Sequence, residues 1–412
     1  MRISDLLCVP GLPGYMIKDQ AAIRAGRATG NGIDLEGEPM TPGFRRILQA
    51  SEMVSVLLVL EDGQIGHGDC VEVIFAGAAG RDPVFRAAEH LPILEGAVRE
   101  RLVGRHADDF RALAREMDGL TMDGRPLHTA VRYGLTQALL HAAALATRRT
   151  MAEVVAGDYG CEVAAAPVPM LGMCPTDQPQ LAEKMMLKRI EALPHANFIS
   201  AADLGPGGAT LLDYADWLSR RIGELAAGDY RPAIHLDVYG GIGALFHMDV
   251  DRMAAFIADL AQRAAPYDLM LETPVLAAGR EAQMEAFAAL RRRLADDGVP
   301  VTLIADEWCN TLDDVRAFAD ADCVDMIQVK TPDLGGIDNT VEALLACRAK
   351  GVGAYCGGSA NETDQAARVS AHLALACRAD LLMVKPGQGV DEGLSIMRNE
   401  MARALALARI SR

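Results

Sequence analysis

The second part of the chain alternates short apolar runs with longer helical patterns, and this alternation constrains the fold more than any other feature. Eight runs are predicted as strands: APVPMLGM, NFISA, PAIHLDVYG, DLMLETP, PVTLIADEW, VDMIQVKTP, VGAYCGGS and DLLMVKPG. Helical patterns, several rich in alanine, separate most of them over about 245 residues. Eight strands alternating with helices are typical of a (β/α)₈ barrel of the TIM type. We therefore predict an α/β barrel domain over residues 161–412.

Residues 1–160 carry a different pattern. The runs ISDLLCVPG and SVLLVLEDGQIGHGDCVEV are predicted as strands, the second broken by a turn at Asp62-Gly63. Helical patterns follow over about 84–117 and from Leu127 onwards. A sheet followed by helices predicts an N-terminal α+β domain over residues 1–160.

Charge and cysteine usage narrow the classes of partner. The formal net charge is −16 and no run of basic residues is longer than three, so we expect no nucleic acid and no anionic membrane as partner. Nine cysteines without paired Cys-x-x-Cys spacing favour a reducing compartment. The start of the sequence lacks the apolar segment of a signal peptide, and the run VSVLLVL is too short to span a bilayer. We expect a cytoplasmic protein.

Polar residues stand at the ends of four successive barrel strands. The third to sixth predicted strands end in Asp237, Glu272, Asp306 and Lys330. Active sites of such barrels lie at the carboxyl ends of the strands, so these side chains converge on one point. Gln328 lies two residues before Lys330 and shares its face of the strand, which therefore looks into the barrel mouth.

Three gathered carboxylates repel one another and indicate a cation. Hard oxygen ligands in this number suit Mg²⁺, which predicts a metal site at Asp237, Glu272 and Asp306. The alternative is that each acid caps the following helix. Lys330 beside a divalent ion is a candidate base, because the ion disfavours its charged form. Alternatively, Lys330 closes the cluster as an ion pair.

His195 and two glycine-rich loops are weaker candidates. His195, at the predicted second strand, is either a second base on the opposite face of a substrate or a structural histidine. His235 alternates with Asp237 and is interpreted as packing one layer deeper. The loops at 355–363 and 385–393 follow the last two strands, where backbone N–H groups often bind an anion. A phosphate and a substrate carboxylate fit them equally well.

The chain resembles the 3-methylaspartate ammonia-lyase family of the enolase superfamily along nearly its whole length. The motifs that carry the resemblance are HGDC, GRDP, LHTAVRYG, LPHA, HLDVYGGIG, ADEWCNT, VKTPDLGG, AYCGGS and KPGQGVDEG. The resemblance implies an α+β capping domain on a (β/α)₈ barrel, Mg²⁺ as cofactor, K⁺ as an activator, and a homodimer. It also implies a small amino diacid as substrate.

The resemblance implies a mechanism as well. Lys330 would remove the β-proton of the 3S substrate, and His195 would serve the epimer from the opposite face. Gln328 would contact the metal-bound carboxylate. Ammonia would then leave from a metal-stabilised, enolate-like intermediate, giving mesaconate.

Several substrate-binding positions depart from the family pattern. The family's two glutamines correspond to Ile74 and Leu171, its Thr-Cys pair to Ser359-Ala360, and its last-loop methionine to Gln388; Met383 is a further pocket position. Each lost amide removes a buried hydrogen bond worth roughly 0.5–1.5 kcal/mol. Such changes can alter the substrate while proton abstraction is kept.

Two other functions stay open. One is a dehydratase or epimerase of the same superfamily that acts on another carboxylate. Against it, no Lys-x-Lys ends the second strand, since Lys184 and Lys188 have helical spacing. The other is a non-catalytic metal-binding relative, which the retained acids and Lys330 disfavour.

Overall fold

A computed structural model describes residues 1–31, 33–226 and 228–410. In the first part of the chain the strands are β1 (Ile3–Gly11), β2 (Met16–Lys18), β3 (Thr29–Asn31), β4 (Asp34–Glu36), β5 (Leu48–Ala50), β6 (Met53–Leu60), β7 (Ile65–Cys70), β8 (Thr121–Met122) and β9 (Arg125–Pro126). The helices there are α1 (Gln20–Arg24), α2 (Ala87–Ile93), α3 (Arg99–Leu102), α4 (Phe110–Asp118), α5 (Thr129–Thr147) and α6 (Met151–Tyr159).

An antiparallel sheet in the order β1–β6–β7 packs against helix α5. The predicted turn joins β6 to β7, with Gly63 at φ +86°. The sheet and the helix approach closely where glycines face each other. A Cβ on Gly68 would lie 2.1 Å from the carbonyl oxygen of Gly134, so neither position has room for a side chain.

The helix predicted over about 84–117 is interrupted. A π-helical turn (Leu94–Val98) joins α2 to α3, and the chain leaves the helix at Val103 before α4 begins. Gly104 has φ +86°, and its N–H donates to the carbonyl of Ile3, while Ile3 N–H donates to Arg105. Pairing with the first strand therefore competes successfully with a continuous helix.

The predicted barrel is confirmed as a closed sheet of eight parallel strands, each paired with the next. Its strands are β10 (Met170–Met173), β11 (Ala192–Asn197), β12 (Ala233–Asp237), β13 (Leu269–Glu272), β14 (Val301–Ala305), β15 (Met326–Val329), β16 (Gly353–Cys356) and β17 (Leu381–Met383). Its helices are α7 (Pro179–Leu187), α8 (Ala209–Leu225), α9 (Gly241–Leu245), α10 (Val250–Ala264), α11 (Arg280–Asp296), α12 (Leu312–Ala321), α13 (Ile337–Lys350), α14 (Asp364–Cys377) and α15 (Asp391–Ile410), with 3₁₀ turns at Ala201–Leu204 and Pro206–Gly208.

The second barrel strand lies earlier than the predicted NFISA. Strand β11 covers Ala192–Asn197, and the chain then enters the 3₁₀ turn, where Ser200 and Asp203 cap each other's backbone N–H groups. The sequence ALPHAN has a proline and a histidine inside the strand, which hid its apolar character.

The barrel interior is closed by an apolar cluster that also includes Ile74 and Phe75 from the first part of the chain. The register pairs Asn197 with Asp237 and Asp237 with Glu272, so the strand ends lie side by side. All nine cysteines are free thiols. Within residues 1–31, 33–226 and 228–410, no helix has both the length and the apolar character required to cross a bilayer.

Candidate active site

The three acids predicted as metal ligands lie together at the barrel mouth. Asp237 and Glu272 end β12 and β13, and Asp306 directly follows β14. Each is at most 2% exposed, and one carboxylate oxygen from each lies within 4.8 Å of the others. Only Asp237 caps backbone nearby, accepting from the N–H of Tyr239 at 3.2 Å, while its Oδ2 is buried without a hydrogen-bond partner. The helix-capping alternative therefore does not explain the cluster.

The electrostatics of the three acids call for a cation. Burial, and then the charges of Glu272 and Asp306, raise the pKa of Asp237 well above its usual range. Burial also raises the pKa of Asp306 to about 7, although Lys330 opposes this. An all-oxygen, buried, mutually repelling donor set with one orphaned oxygen fits Mg²⁺.

Glu272 is held by hydrogen bonds to both of its carboxylate oxygens. Its Oε1 accepts from the Gln328 amide at 2.5 Å and its Oε2 from the Tyr355 hydroxyl at 2.6 Å. Burial alone would raise the pKa of Glu272, but His195 and His235 together with Tyr355 hold it below its ordinary value. Glu272 therefore stays ionised inside the barrel.

Lys330 is buried beside the acid cluster. Its Nζ lies 2.7 Å from Asp306 Oδ2, and the residue is 7% exposed. Burial alone would lower the pKa of Lys330, yet Asp306 and the more distant Asp333 and Glu307 hold it above the ordinary value. The ion pair considered from the sequence is present. A lowered pKa of Lys330 beside a bound divalent ion stays a prediction.

His195 stands on the other side of the cluster. Its Nε2 lies 3.8 Å from Asp237 Oδ2 and its Nδ1 3.6 Å from Glu272 Oε2. Burial lowers the pKa of His195 to about 3 although Glu272 opposes this, so the imidazole is neutral and can accept a proton. Strand β11, which carries His195, and strand β15, which leads to Lys330, are four strands apart in either direction around the barrel. The two groups therefore face each other across the mouth.

A cavity lies between these two walls. Of the sequence-predicted residues, those that line it are Ile74, His195, Gln328, Lys330, Ser359, Met383 and Gln388. Leu171 and Ala360 are fully buried in the apolar cluster and do not line the cavity. Met173, two residues beyond Leu171 on the same face of β10, does line it. Leu171 therefore lies one layer deeper in the barrel than Met173, and its substrate-binding role stays a prediction.

Sequence reasoning also missed other lining residues, namely Lys18, Val73, Phe75, Arg81, Asn197, Ile199, Tyr239 and Gly358. Asn197, at the end of β11, could have been found with the strand-end rule. The others come from loops or from the first part of the chain, which the rule does not cover.

Arg81, within the motif GRDP, joins the first part of the chain to the barrel. Its guanidinium side chain is 4% exposed, with Nε 2.7 Å from Asp333 Oδ2 and Nη1 3.2 Å from Glu307 Oε2. Its Nη2 lies 3.9 Å from Asp306 Oδ1. Burial alone would lower the pKa of Arg81, but these carboxylates raise it, so the buried cation is charged.

The two glycine-rich loops are tied to each other by a buried ion pair. Lys385 Nζ lies 3.0 Å from Glu362 Oε1, and both residues are fully buried. The same oxygen accepts from Tyr133 of α5 at 2.7 Å, and Glu362 Oε2 accepts from the N–H of Ser359 at 2.6 Å. That N–H of the loop is thus already used by a protein carboxylate, which disfavours a phosphate there.

The comparisons with known proteins agree with this geometry. Family models described as methylaspartate ammonia-lyase N-terminus and C-terminus match residues 1–160 and 162–410. Methylaspartate ammonia-lyase 2 of Carboxydothermus hydrogenoformans is 49% identical over 411 residues, covering 99% of both chains.

Two solved structures have the same fold. The Citrobacter amalonaticus methylaspartate ammonia lyase containing (2S,3S)-3-methylaspartic acid has a TM-score of 0.96 at 44% identity, with 99% of this chain and 100% of that one covered. The Mg-complex of β-methylaspartase from Clostridium tetanomorphum has a TM-score of 0.93 at 45% identity, with full coverage of both chains.

Fold and site together define a metal-dependent barrel enzyme of the enolase superfamily, with a buried acid cluster between Lys330 and His195. With matches over nearly every residue, the chain belongs to the methylaspartate ammonia-lyase family.

Proposed function

We propose that the protein eliminates ammonia from 3-methylaspartate to give mesaconate. The observation that carries the proposal is the buried acid trio, with its oxygens within 4.8 Å of one another, between Lys330 and His195 on opposite walls. A related structure contains (2S,3S)-3-methylaspartic acid, and another is a Mg-complex. The protein is therefore proposed to be a carbon–nitrogen lyase.

Asp237, Glu272 and Asp306 would hold the Mg²⁺ ion. When bound, the ion supplies positive charge beside a substrate carboxylate, which lowers the cost of removing the adjacent β-proton. Gln328 supports Glu272 and lines the cavity, which suits it to contact the substrate carboxylate.

The two bases divide the substrates between them. With Mg²⁺ bound beside it, Lys330 would have a lowered pKa and, as a neutral amine, would accept the β-proton of the 3S substrate. His195 would accept the β-proton of the 3-epimer from the opposite side. The electron pair left on the β-carbon forms the carbon–carbon double bond, and the pair of the breaking C–N bond leaves with ammonia. No further co-reactant is needed.

The cavity walls divide into polar and apolar contacts for the diacid. Ser359 and Gln388 offer hydrogen-bonding groups, whereas Ile74 and Met383 offer apolar surface to the methyl-bearing side. Leu171 and Ala360 back this wall from the apolar cluster. We infer that the cavity admits a small branched amino diacid.

Four finer features are part of the proposal. The chain would divide into a capping domain, residues 1–160, and a barrel domain, 161–412, since α6 ends at Tyr159 and β10 begins at Met170; Ser411 and Arg412 lie outside the described residues. From the family resemblance we also propose a homodimer, activation by K⁺ and a cytoplasmic location. Sedimentation equilibrium tests the homodimer. Rates measured in K⁺ and in Na⁺ at equal ionic strength test the activation by K⁺.

Turnover with purified protein tests the function directly. With Mg²⁺, 3-methylaspartate should yield an ultraviolet-absorbing unsaturated diacid, and EDTA should abolish this until Mg²⁺ is restored. Lys350→Ala, a change at an exposed lysine paired with Asp320, is the matched control and should react normally. β-Hydrogen exchange in deuterated water without deamination of any amino diacid would instead indicate a dehydratase or epimerase. Mg²⁺ binding with neither reaction would indicate a non-catalytic relative.

A further inference from the structure

A second histidine lies directly behind His195. His235, on β12, is fully buried, and its Nδ1 lies 3.3 Å from the Nδ1 of His195. Its Nε2 lies 3.2 Å from Glu272 Oε2, a contact that falls short of hydrogen-bond geometry and is therefore mainly electrostatic. The sequence interpretation of His235 as packing does not account for these two polar contacts.

The positions of the protons follow from the chemistry of the three groups. An ionised carboxylate carries no proton, so the ring nitrogen 3.2 Å from Glu272 has to be the protonated one, since two lone pairs at that distance repel. In a neutral imidazole the other nitrogen is then an acceptor. The two Nδ1 atoms are 3.3 Å apart, so one of them has to donate and the other to accept. With one proton on each ring, and that of His235 on the side of Glu272, Nδ1 of His235 is the acceptor and Nδ1 of His195 the donor.

This assignment leaves Nε2 of His195 without a proton. The nearest carboxylate oxygen to it that the structure gives is Asp237 Oδ2 at 3.8 Å, beyond hydrogen-bond distance. A proton on Nδ1 is further favoured by Glu272 Oε2 at 3.6 Å. His195 lines the cavity, so a fixed lone pair on Nε2 is what a base on this wall requires.

We propose that His235 is a positioning residue that fixes His195 in the tautomer protonated on Nδ1, through a chain running from Glu272 to His235 to His195. The inference rests on the proposed function only in giving His195 the role of base. The tautomer itself is a property of the protein, and it can be measured without turnover.

Nitrogen-15 NMR of protein labelled at histidine, with Mg²⁺ and without substrate, tests the tautomer directly. The signals of His195 are identified by their loss in the His195→Gln spectrum. We expect an N–H-type shift for Nδ1 and a lone-pair-type shift for Nε2. The reverse pattern, or an equal mixture, would overturn the proposal whatever the activity of the enzyme, and this result stands even if variants at His235 fail to fold.

Two variants then separate the two contacts of His235. In His235→Asn, an amide oxygen near the former Nδ1 can still accept from His195, but the group beside Glu272 is lost. In His235→Gln, an amide nitrogen near the former Nε2 is kept, but the acceptor for His195 is lost. Each variant therefore removes one of the two contacts of His235 and keeps the other.

The proposal predicts opposite outcomes for the pair. His235→Gln should lower turnover of the His195-dependent epimer about 10²-fold or more, relative to the Lys330-dependent epimer. His235→Asn should keep the ratio of the two epimers at saturating Mg²⁺ but weaken Mg²⁺ binding by about 10–100-fold. An unchanged epimer ratio in His235→Gln, with the Nδ1–H tautomer intact, would show that His235 does not fix it. If instead His195→Gln leaves the second epimer unaffected, the base assignment fails and the tautomer result still stands.

Discussion

The two walls of the active site hold Lys330 and His195, the proposed bases, by different physical means. On the lysine wall (Lys330, Asp306 and Arg81), buried charges are balanced by other buried charges. On the histidine wall (His195 and His235), burial keeps His195 neutral, and the two rings contact each other through their Nδ1 atoms. Both walls meet the same acid cluster.

This difference predicts that the two proposed bases, Lys330 and His195, respond to different perturbations. A buried ammonium is stable only with nearby carboxylates, so the lysine wall depends on net charge. A buried neutral imidazole needs no counter-charge, but it works only if the correct nitrogen is free. Changes of charge should therefore disturb the lysine wall, and changes of hydrogen-bond pattern the histidine wall.

Removing a shared metal ligand should disable both walls equally. Asp237→Asn takes away the orphaned oxygen of the acid trio, and the lost stabilisation of transition-state charge is several kcal/mol, about 10³-fold or more in rate. Turnover of each epimer and Mg²⁺ titration calorimetry measure this. Asp251→Asn, at an exposed acid paired with Arg293, is the control. Retained turnover of one epimer would mean that the walls do not share a metal.

Removing the lysine should affect the walls unequally. Lys330→Ala should slow the 3S substrate by about 10²–10⁴-fold, the usual contribution of a positioned base, and the 3-epimer far less. Separate rates for the two epimers provide the measurement, with His195→Gln as the mirror experiment. Equal losses for both epimers would disprove the division into two bases.

Arg81, the buried cation beside Asp306, should affect the stability of the fold more than proton transfer by either proposed base. Arg81→Met leaves Glu307 and Asp333 buried without their partner, which costs about 3–5 kcal/mol in the free energy of unfolding. Urea unfolding measures the change. Arg105→Met, at an exposed arginine paired with Glu116, should cost at most about 1 kcal/mol. Similar costs for both changes would show that the buried acids simply take up protons.

Much of the site was predictable because barrel geometry converts local pattern into position. Asp237, Glu272, Asp306 and Lys330 each end a short apolar run, and parallel strands bring such ends together whatever the intervening sequence. Helical spacing was also informative. It predicted a helix at Lys184 and Lys188, and Lys184 lies on α7 while Lys188 lies at its end. Both pair with Asp391 on the surface.

The rest could not be predicted because it depends on contacts between distant parts of the chain. Arg81 meets residues more than 220 positions away, and Tyr133 meets Glu362 across 229 positions. Nothing in the local sequence marks these partners. Leu171 and Met173 differ by one layer on the same face, so periodicity alone could not choose between them.

The smallest effect concerns Asp338, a buried acid that is not part of the acid trio, and it separates electrostatic repulsion from function. Asp338, 4% exposed, has an Oδ1 without a hydrogen-bond partner, and burial together with Asp118 raises its pKa to about 6. Because the folded pKa of Asp338 lies above the unfolded value, its contribution to stability is greatest below about pH 4 and is lost as the pH rises through about 6. Asp338→Asn should remove this dependence and raise the free energy of unfolding at pH 7 by roughly 1–3 kcal/mol, with both epimers still turned over. Urea unfolding between pH 4 and 7, taken as the difference from the unaltered protein, measures it. A destabilised variant at pH 7 would mean that Asp338 holds a cation, as the acid trio is proposed to do, rather than merely tolerating its neighbours.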